Sequence, residues 1–190
     1  MGELKSAWEI AQEKANKLGK LSPEEERRQR EEKCRQIGQA VAQRWLDASP
    51  GQDLAAGVGS YPEEEKGLIK QATLGYLIEA IDFQSSEAGM GRLERAVQGI
   101  TSLEPKSQPV VERLIELAQE YSQAKEKTRQ EVEDRSRGVL HQLRISGTAV
   151  GDINVEATPQ WQQSEQRLTK AFQPRLDGLK KELSCFFGFM

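Results

Sequence analysis

Along most of this chain, apolar residues recur three and four positions apart, the interval that places them on one stripe of an α-helix. Leu4, Ala7, Trp8, Ala11, Ala15 and Leu18 form the first stripe, over 3–18. Gly19 is suited to end it, because glycine adopts the left-handed cap conformation cheaply. Ser22-Pro23-Glu24-Glu25 then opens a second helix. The serine hydroxyl can accept from a free amide, the proline has no amide to leave unpaired, and Glu25 can reach back to the cap. The start of this helix is polar, with Arg27, Arg28 and Arg30 among Glu24, Glu25, Glu26, Glu31 and Glu32. Ion pairs four apart make that a solvated face. The helix turns amphipathic at Cys34, Ile37, Val41, Trp45 and Leu46 and stops at Ser49-Pro50-Gly51.

Residues 51–60 are rich in glycine and alanine and read as a loop. Ser60-Tyr61-Pro62-Glu63 starts a third helix, striped by Ile69, Ala72, Tyr76, Leu77, Ala80 and Ile81 and broadened by Leu68, Leu74 and Phe83. It is the most hydrophobic helix and the candidate centre of the core. A short fourth helix carries Leu93, Ala96, Val97 and Ile100, and the stretch from Pro105 to Pro109 breaks it. A long segment follows, from Pro109 to about Ile145, which at 1.5 Å per residue would extend roughly 55 Å. Val111, Leu114, Ala118, Tyr121, Val132, Val139 and Leu143 form its stripe. Between Gln123 and Arg137 only Ala124 and Val132 are apolar, so this part projects into solvent or meets a partner through a weak seam. Residues 146–157 break the helical pattern and read as a loop with at most one short extended segment. Thr158-Pro159 starts the last helix, with Trp161, Leu168, Phe172, Leu176, Leu179 and Leu183.

These intervals predict an all-α fold, a helical bundle of five to six helices whose last two form a long, coiled-coil-like antiparallel hairpin. The parts are an N-terminal helical part over 1–104, the hairpin over 105–184 with a loop at 146–157, and a hydrophobic C-terminal tail over 185–190. All three belong to one structural domain, which 190 residues are enough to supply with a core. The polar middle of the hairpin would be under-buried in a monomer, so a homodimer is expected.

Charged residues make up 30% of the chain and the net charge is −3, so there is no basic excess to neutralise phosphates and nucleic acid is not expected as a partner. The charged amino end lacks an apolar leader, and no run approaches a membrane span. Two cysteines, Cys34 and Cys185, are far apart and share no metal or redox spacing. The reading is a cytoplasmic protein with both thiols free.

No constellation of catalytic or metal-ligating residues stands out, and no cofactor is implied. His141, the one histidine, lies between Arg137 and Arg144 and reads as a surface residue. Asp152-Ile153-Asn154-Val155-Glu156 begins like a calcium loop. It then places Ala157 where the turn needs glycine, and Gln163 where a bidentate glutamate belongs. Gly57-Val58-Gly59 and Gly89-Met90-Gly91 lack the further residues of a nucleotide loop. Trp8, Trp45 and Trp161 sit on apolar stripes and read as packing residues.

The most unusual feature is the ending Cys185-Phe186-Phe187-Gly188-Phe189-Met190, a poor choice for a frayed end in water. It folds back onto the helices or docks on another chain. The leading reading is a non-catalytic scaffold or adaptor that binds proteins by helix pairing, with Phe186, Phe187, Phe189 and Met190 as contact residues. A second is a ligand-binding protein or enzyme with a pocket near the 146–157 loop, where Arg144, Ser146, Thr148 and Asp152 would meet a small anion. A third is a peripheral membrane protein using the tail, for which only Lys180 and Lys181 offer a basic flank.

The opening Glu3-Leu4-Lys5-Ser6-Ala7-Trp8-Glu9 through Glu13-Lys14-Ala15-Asn16-Lys17-Leu18 resembles a group of uncharacterised small helical bacterial proteins. Ile145-Ser146-Gly147-Thr148-Ala149-Val150, followed by Trp161 and a closing helix, is similar to the same group. The resemblance implies a bacterial cytoplasmic protein of unknown function and carries no activity, cofactor or site residue. The phenylalanine-rich tail is not part of it.

Overall fold

A computed structural model describes residues 22–47, 53–83, 87–143 and 153–188. The expected first helix over 3–18, with Trp8, lies outside the described residues. Those described form an all-α fold: α1 (Pro23–Asp47), α2 (Leu54–Gly59), α3 (Glu63–Glu79), α4 (Glu87–Leu103), α5 (Gln108–Gln142) and α6 (Pro159–Phe186). Two 3-10 turns, Pro105–Ser107 and Val155–Ala157, precede α5 and α6.

Local chemistry sets most of these boundaries. At the start of α1 the Glu25 amide donates to Ser22 Oγ at 3.2 Å, and the Ser22 amide donates to Glu25 Oε2 at 2.8 Å. This is the reciprocal cap its sequence predicts. The Ser22 amide, and then its hydroxyl, hold the Glu25 carboxyl below the usual range. At α6 the Trp161 amide donates to Thr158 Oγ1 at 3.2 Å, with Pro159 in the first turn.

Within the stretch 51–60, residues 53–60 depart from the loop expectation. Asp53 Oδ1 accepts from the amides of Ala55 and Ala56 at 2.9 and 3.2 Å and nucleates α2. Ser60, expected to start the next helix, closes α2 instead, its hydroxyl donating to the Gly57 carbonyl at 2.8 Å. In the 146–157 loop, Val155–Ala157 is a 3-10 turn rather than an extended segment, because Asn154 Oδ1 accepts from the Ala157 amide at 3.3 Å. The rest of that loop up to residue 152 lies outside the described residues.

Helices α1 and α3 run parallel. Arg30 meets Glu64 at 4.0 Å, Gly38 lies against Ile69, Ala72 and Thr73, and Gln43 accepts from the Tyr76 hydroxyl. A parallel pair needs a return connection as long as the contact, and α2 lies within it. The crossing is close because Gly38 has no side chain. A Cβ there would stand 2.5 Å from Ala72 Cβ and 2.9 Å from both Ile69 O and Thr73 N. Thr73, fully buried, spends its hydroxyl on the Ile69 and Gly38 carbonyls at 2.8 and 3.3 Å. Helix α4 returns antiparallel to α3, with Lys70 paired to Glu104 at 3.0 Å and Gly99 beside Leu77. It also ties down the end of α1. The Trp45 indole N–H donates to Arg95 O at 2.8 Å, and the Arg95 guanidinium donates to Leu46 O at 2.9 Å.

Helices α5 and α6 form the expected hairpin. Arg113 pairs with Glu182, Glu120 with Arg175 at 2.7 Å, and Lys125 with Glu165 at 3.2 Å. One number rises as the other falls, so the helices are antiparallel. The polar middle of α5 finds its partner in the equally polar first half of α6. The hairpin's base joins α1, α3 and α4 in one core, where Ile69, Leu77, Ile81, Ile100, Leu114, Leu176 and Leu183 are fully buried. Phe83, Tyr121 and Phe172 lock that junction. Phe83 stacks on Tyr121 at 4.5 Å, and Phe172 meets Tyr121 edge-on at 5.4 Å. Farther along the arm, Val132, Val155 and Trp161 form a separate small cluster with Ile153. Trp161 thus packs as expected but in that satellite, with Lys125 Nζ 5.8 Å from its ring centroid.

Several helical glycines have no such role. A Cβ on Gly67, Gly138 or Gly178 would meet nothing within 4 Å, and none of the three has a positive φ. Glycine in a helix interior costs about 0.5–1 kcal/mol relative to alanine. Gly67→Ala, Gly138→Ala and Gly178→Ala are each expected to raise stability by about that amount in urea unfolding.

Candidate functional site

Among the described residues no three His, Cys, Asp or Glu side chains gather as they would around a metal ion. His141 is exposed in the last turn of α5, as the sequence suggests. Cys34 is fully buried, and burial pushes its thiol above the ordinary range, whereas Cys185 is exposed. A thiol reagent is therefore expected to label Cys185 in the native protein and both cysteines only after unfolding. Rapid labelling of both in native buffer would contradict the burial of Cys34. No helix among the described residues is long and apolar enough to cross a membrane.

Three features are open to a partner. The first is the outer end of α5. Val139 and Leu143 lie four apart on one face and are 55% and 65% exposed. Past Val132 this face has outrun the cover of Trp161 and Val155. The ligand-loop candidates Arg144, Ser146, Thr148 and Asp152 follow directly and lie outside the described residues.

The second is the end of α6. The helix continues through Cys185 and Phe186, and so takes in the start of the hydrophobic tail. Phe187 turns back onto the main core, while Phe186 is 51% exposed, its ring edge-on to Phe187 at 6.2 Å. Gly188, at φ +72°, ends the helix in the left-handed region. Phe189 and Met190 lie outside the described residues.

The third feature was not legible as a site in the sequence. Between α1 and α2 lies a cleft of about 200 Å³, walled by Val41, Trp45, Leu54 and Tyr61, with Arg44 and Asp53 at its rim. Its position depends on α2, which the glycine- and alanine-rich composition of 51–60 concealed. The Asp53 cap before Leu54 was the available signal.

No curated protein and no solved structure matches the chain. A family model does match, over residues 55–185. That span includes the Ile145–Val150 stretch and Trp161, on which part of the resemblance rests, and leaves the 3–18 opening outside. On this match the chain belongs to a family of unknown function, DUF6657.

Proposed function

We propose that this chain is a non-catalytic interaction protein, a scaffold or adaptor of the reducing cytoplasm, that holds a partner protein through the ends of its α5–α6 hairpin. The carrying observation is a contrast in burial. Most apolar residues of the hairpin are covered, yet Val139 and Leu143 at its outer end and Phe186 at the close of α6 are more than half exposed. Together with Ile115 they are the exposed large apolar side chains among the described residues. Val139 and Leu143 have the four-residue spacing by which one amphipathic helix anchors on another. Both thiols are free, as a reducing compartment would keep them. A second copy of the chain, pairing arm to arm, is the homodimer form of the same reading.

The test compares wild type with the double variant Val139→Lys and Leu143→Lys and with Phe186→Ser, by sedimentation and by affinity capture from lysate. A dimer, or a captured partner, that is lost in a variant with an unchanged melting temperature supports the proposal. A wild-type monomer that captures nothing above background overturns it, as does capture that survives both sets of substitutions.

A further inference from the structure

We propose that the cleft between α1 and α2 binds a small zwitterion with a compact apolar side chain, a free aliphatic α-amino acid. Two of the polar groups around it are already spent. The Ser60 hydroxyl donates to Gly57 O, and the Trp45 indole N–H is held by Arg95 O in α4. Asp53 uses only one carboxylate oxygen, Oδ1, for both amides it caps, so Oδ2 is uncommitted. Arg44 forms no ion pair or hydrogen bond through its guanidinium, nor does the Tyr61 hydroxyl form one, among the described residues.

Among the described residues the cleft therefore offers an uncommitted cationic group, an uncommitted anionic oxygen and a neutral donor around a wall of Val41, Trp45, Leu54 and Tyr61. A ligand carrying a single charge would satisfy one rim residue and face repulsion from the other. A zwitterion satisfies both: its carboxylate takes the fork of Arg44 with the Tyr61 hydroxyl, and its ammonium takes Asp53 Oδ2. Sites for drug-sized ligands start at about 300 Å³, so this smaller volume selects a small occupant.

Gly57 borders the cleft. A Cβ there would meet nothing within 4 Å, and the residue's φ is not positive. Neither crowding nor backbone conformation accounts for glycine at a helical position where alanine would be more stable. A side chain at this position would enter open space, which makes it a site for blocking the cleft without disturbing the fold.

The experiment follows the Trp45 indole N–H resonance of the full-length chain by NMR, with the indoles of Trp8 and Trp161 as internal references. The probes are L-leucine, 4-methylpentanoate (carboxylate alone) and 3-methylbutylamine (ammonium alone). The expected result is a saturable shift of Trp45 with L-leucine and affinity at least about tenfold weaker for each single-charge analogue. Arg44→Gln and Gly57→Leu should each abolish the shift while the melting temperature is kept, or raised for Gly57→Leu. No saturable shift with L-leucine into the millimolar range overturns the proposal. So do equal affinity for a single-charge analogue and binding that survives Gly57→Leu.

Discussion

Gly38→Ala is expected to cost about 3 kcal/mol, lowering the melting temperature by about 6–12 °C in a chain of this size. The added methyl carbon would stand 2.5 Å from Ala72 Cβ, against the 3.5–4.0 Å at which carbon atoms rest. Its other two neighbours, Ile69 O and Thr73 N at 2.9 Å, are backbone atoms that no rotamer change can move. The helices would have to part. Parting them stretches the Thr73 hydroxyl away from Gly38 O and loosens the buried face of α1, with Cys34, Ala42 and Leu46. The same one-methyl change at Gly67, Gly138 or Gly178 should stabilise, so the contrast isolates crowding from helix propensity. Adding Ala72→Gly to Gly38→Ala removes the worst contact and should recover part of the loss. A Gly38→Ala protein melting within about 2 °C of wild type would mean that α1 and α3 stand farther apart in solution.

Tyr121→Ala should cost about 3–5 kcal/mol, the range for deleting a buried aromatic side chain. Tyr121 is buried at the junction of the two halves of the molecule, between Phe83 after α3 and Phe172 of α6. Its loss would open a void where the hairpin's base joins α3. Tyr121→Phe keeps the ring and removes only the hydroxyl, 3.2 Å from Thr169 Oγ1. Thr169 retains its bond to Glu165 O at 3.0 Å, so this change should cost about 1 kcal/mol or less. Urea unfolding monitored by circular dichroism separates the two variants. Equal costs would assign the stabilisation to the hydroxyl and refute the role given to the ring cluster.

The fold was legible where local chemistry and apolar interval agree. Ser22 with Glu25, Thr158 with Pro159, and the stripe of α3 specify helices from short-range interactions, and the antiparallel course of α5 and α6 follows from their short connection. What stayed hidden depended on contacts distant in sequence. The centre of the buried face of α1 is Cys34, Gly38, Ala42 and Leu46, while Ile37, Val41 and Trp45 are only half buried. Hydrophobicity ranks the larger residues first, yet the close approach of α3 favours the smaller ones. Pro174 sits inside α6, within the stripe from Trp161 to Leu183 that the sequence predicts. It and Lys170, whose carbonyl loses an amide partner, are both exposed, so water can take that carbonyl. For the candidate sites, the exposure of Phe186 and the inward turn of Phe187 depend on which way the last turn of α6 faces. The α1–α2 cleft depends on a helix that composition alone read as a loop.

The arm joins two apolar clusters of unequal size through a polar stretch, and this grades the ease with which its backbone opens. Amides of α3, enclosed by the main core, should exchange with deuterated solvent only when the whole molecule unfolds. Among the described residues, the amides of the outer turns of α5 are backed by the small cluster of Val132, Val155, Trp161 and Ile153, beyond which Val139 and Leu143 are exposed. These amides should exchange through local fraying that leaves the base intact. The segment that presents Val139 and Leu143 is then the one able to change conformation without disturbing the core, a useful property for a surface that must fit another helix.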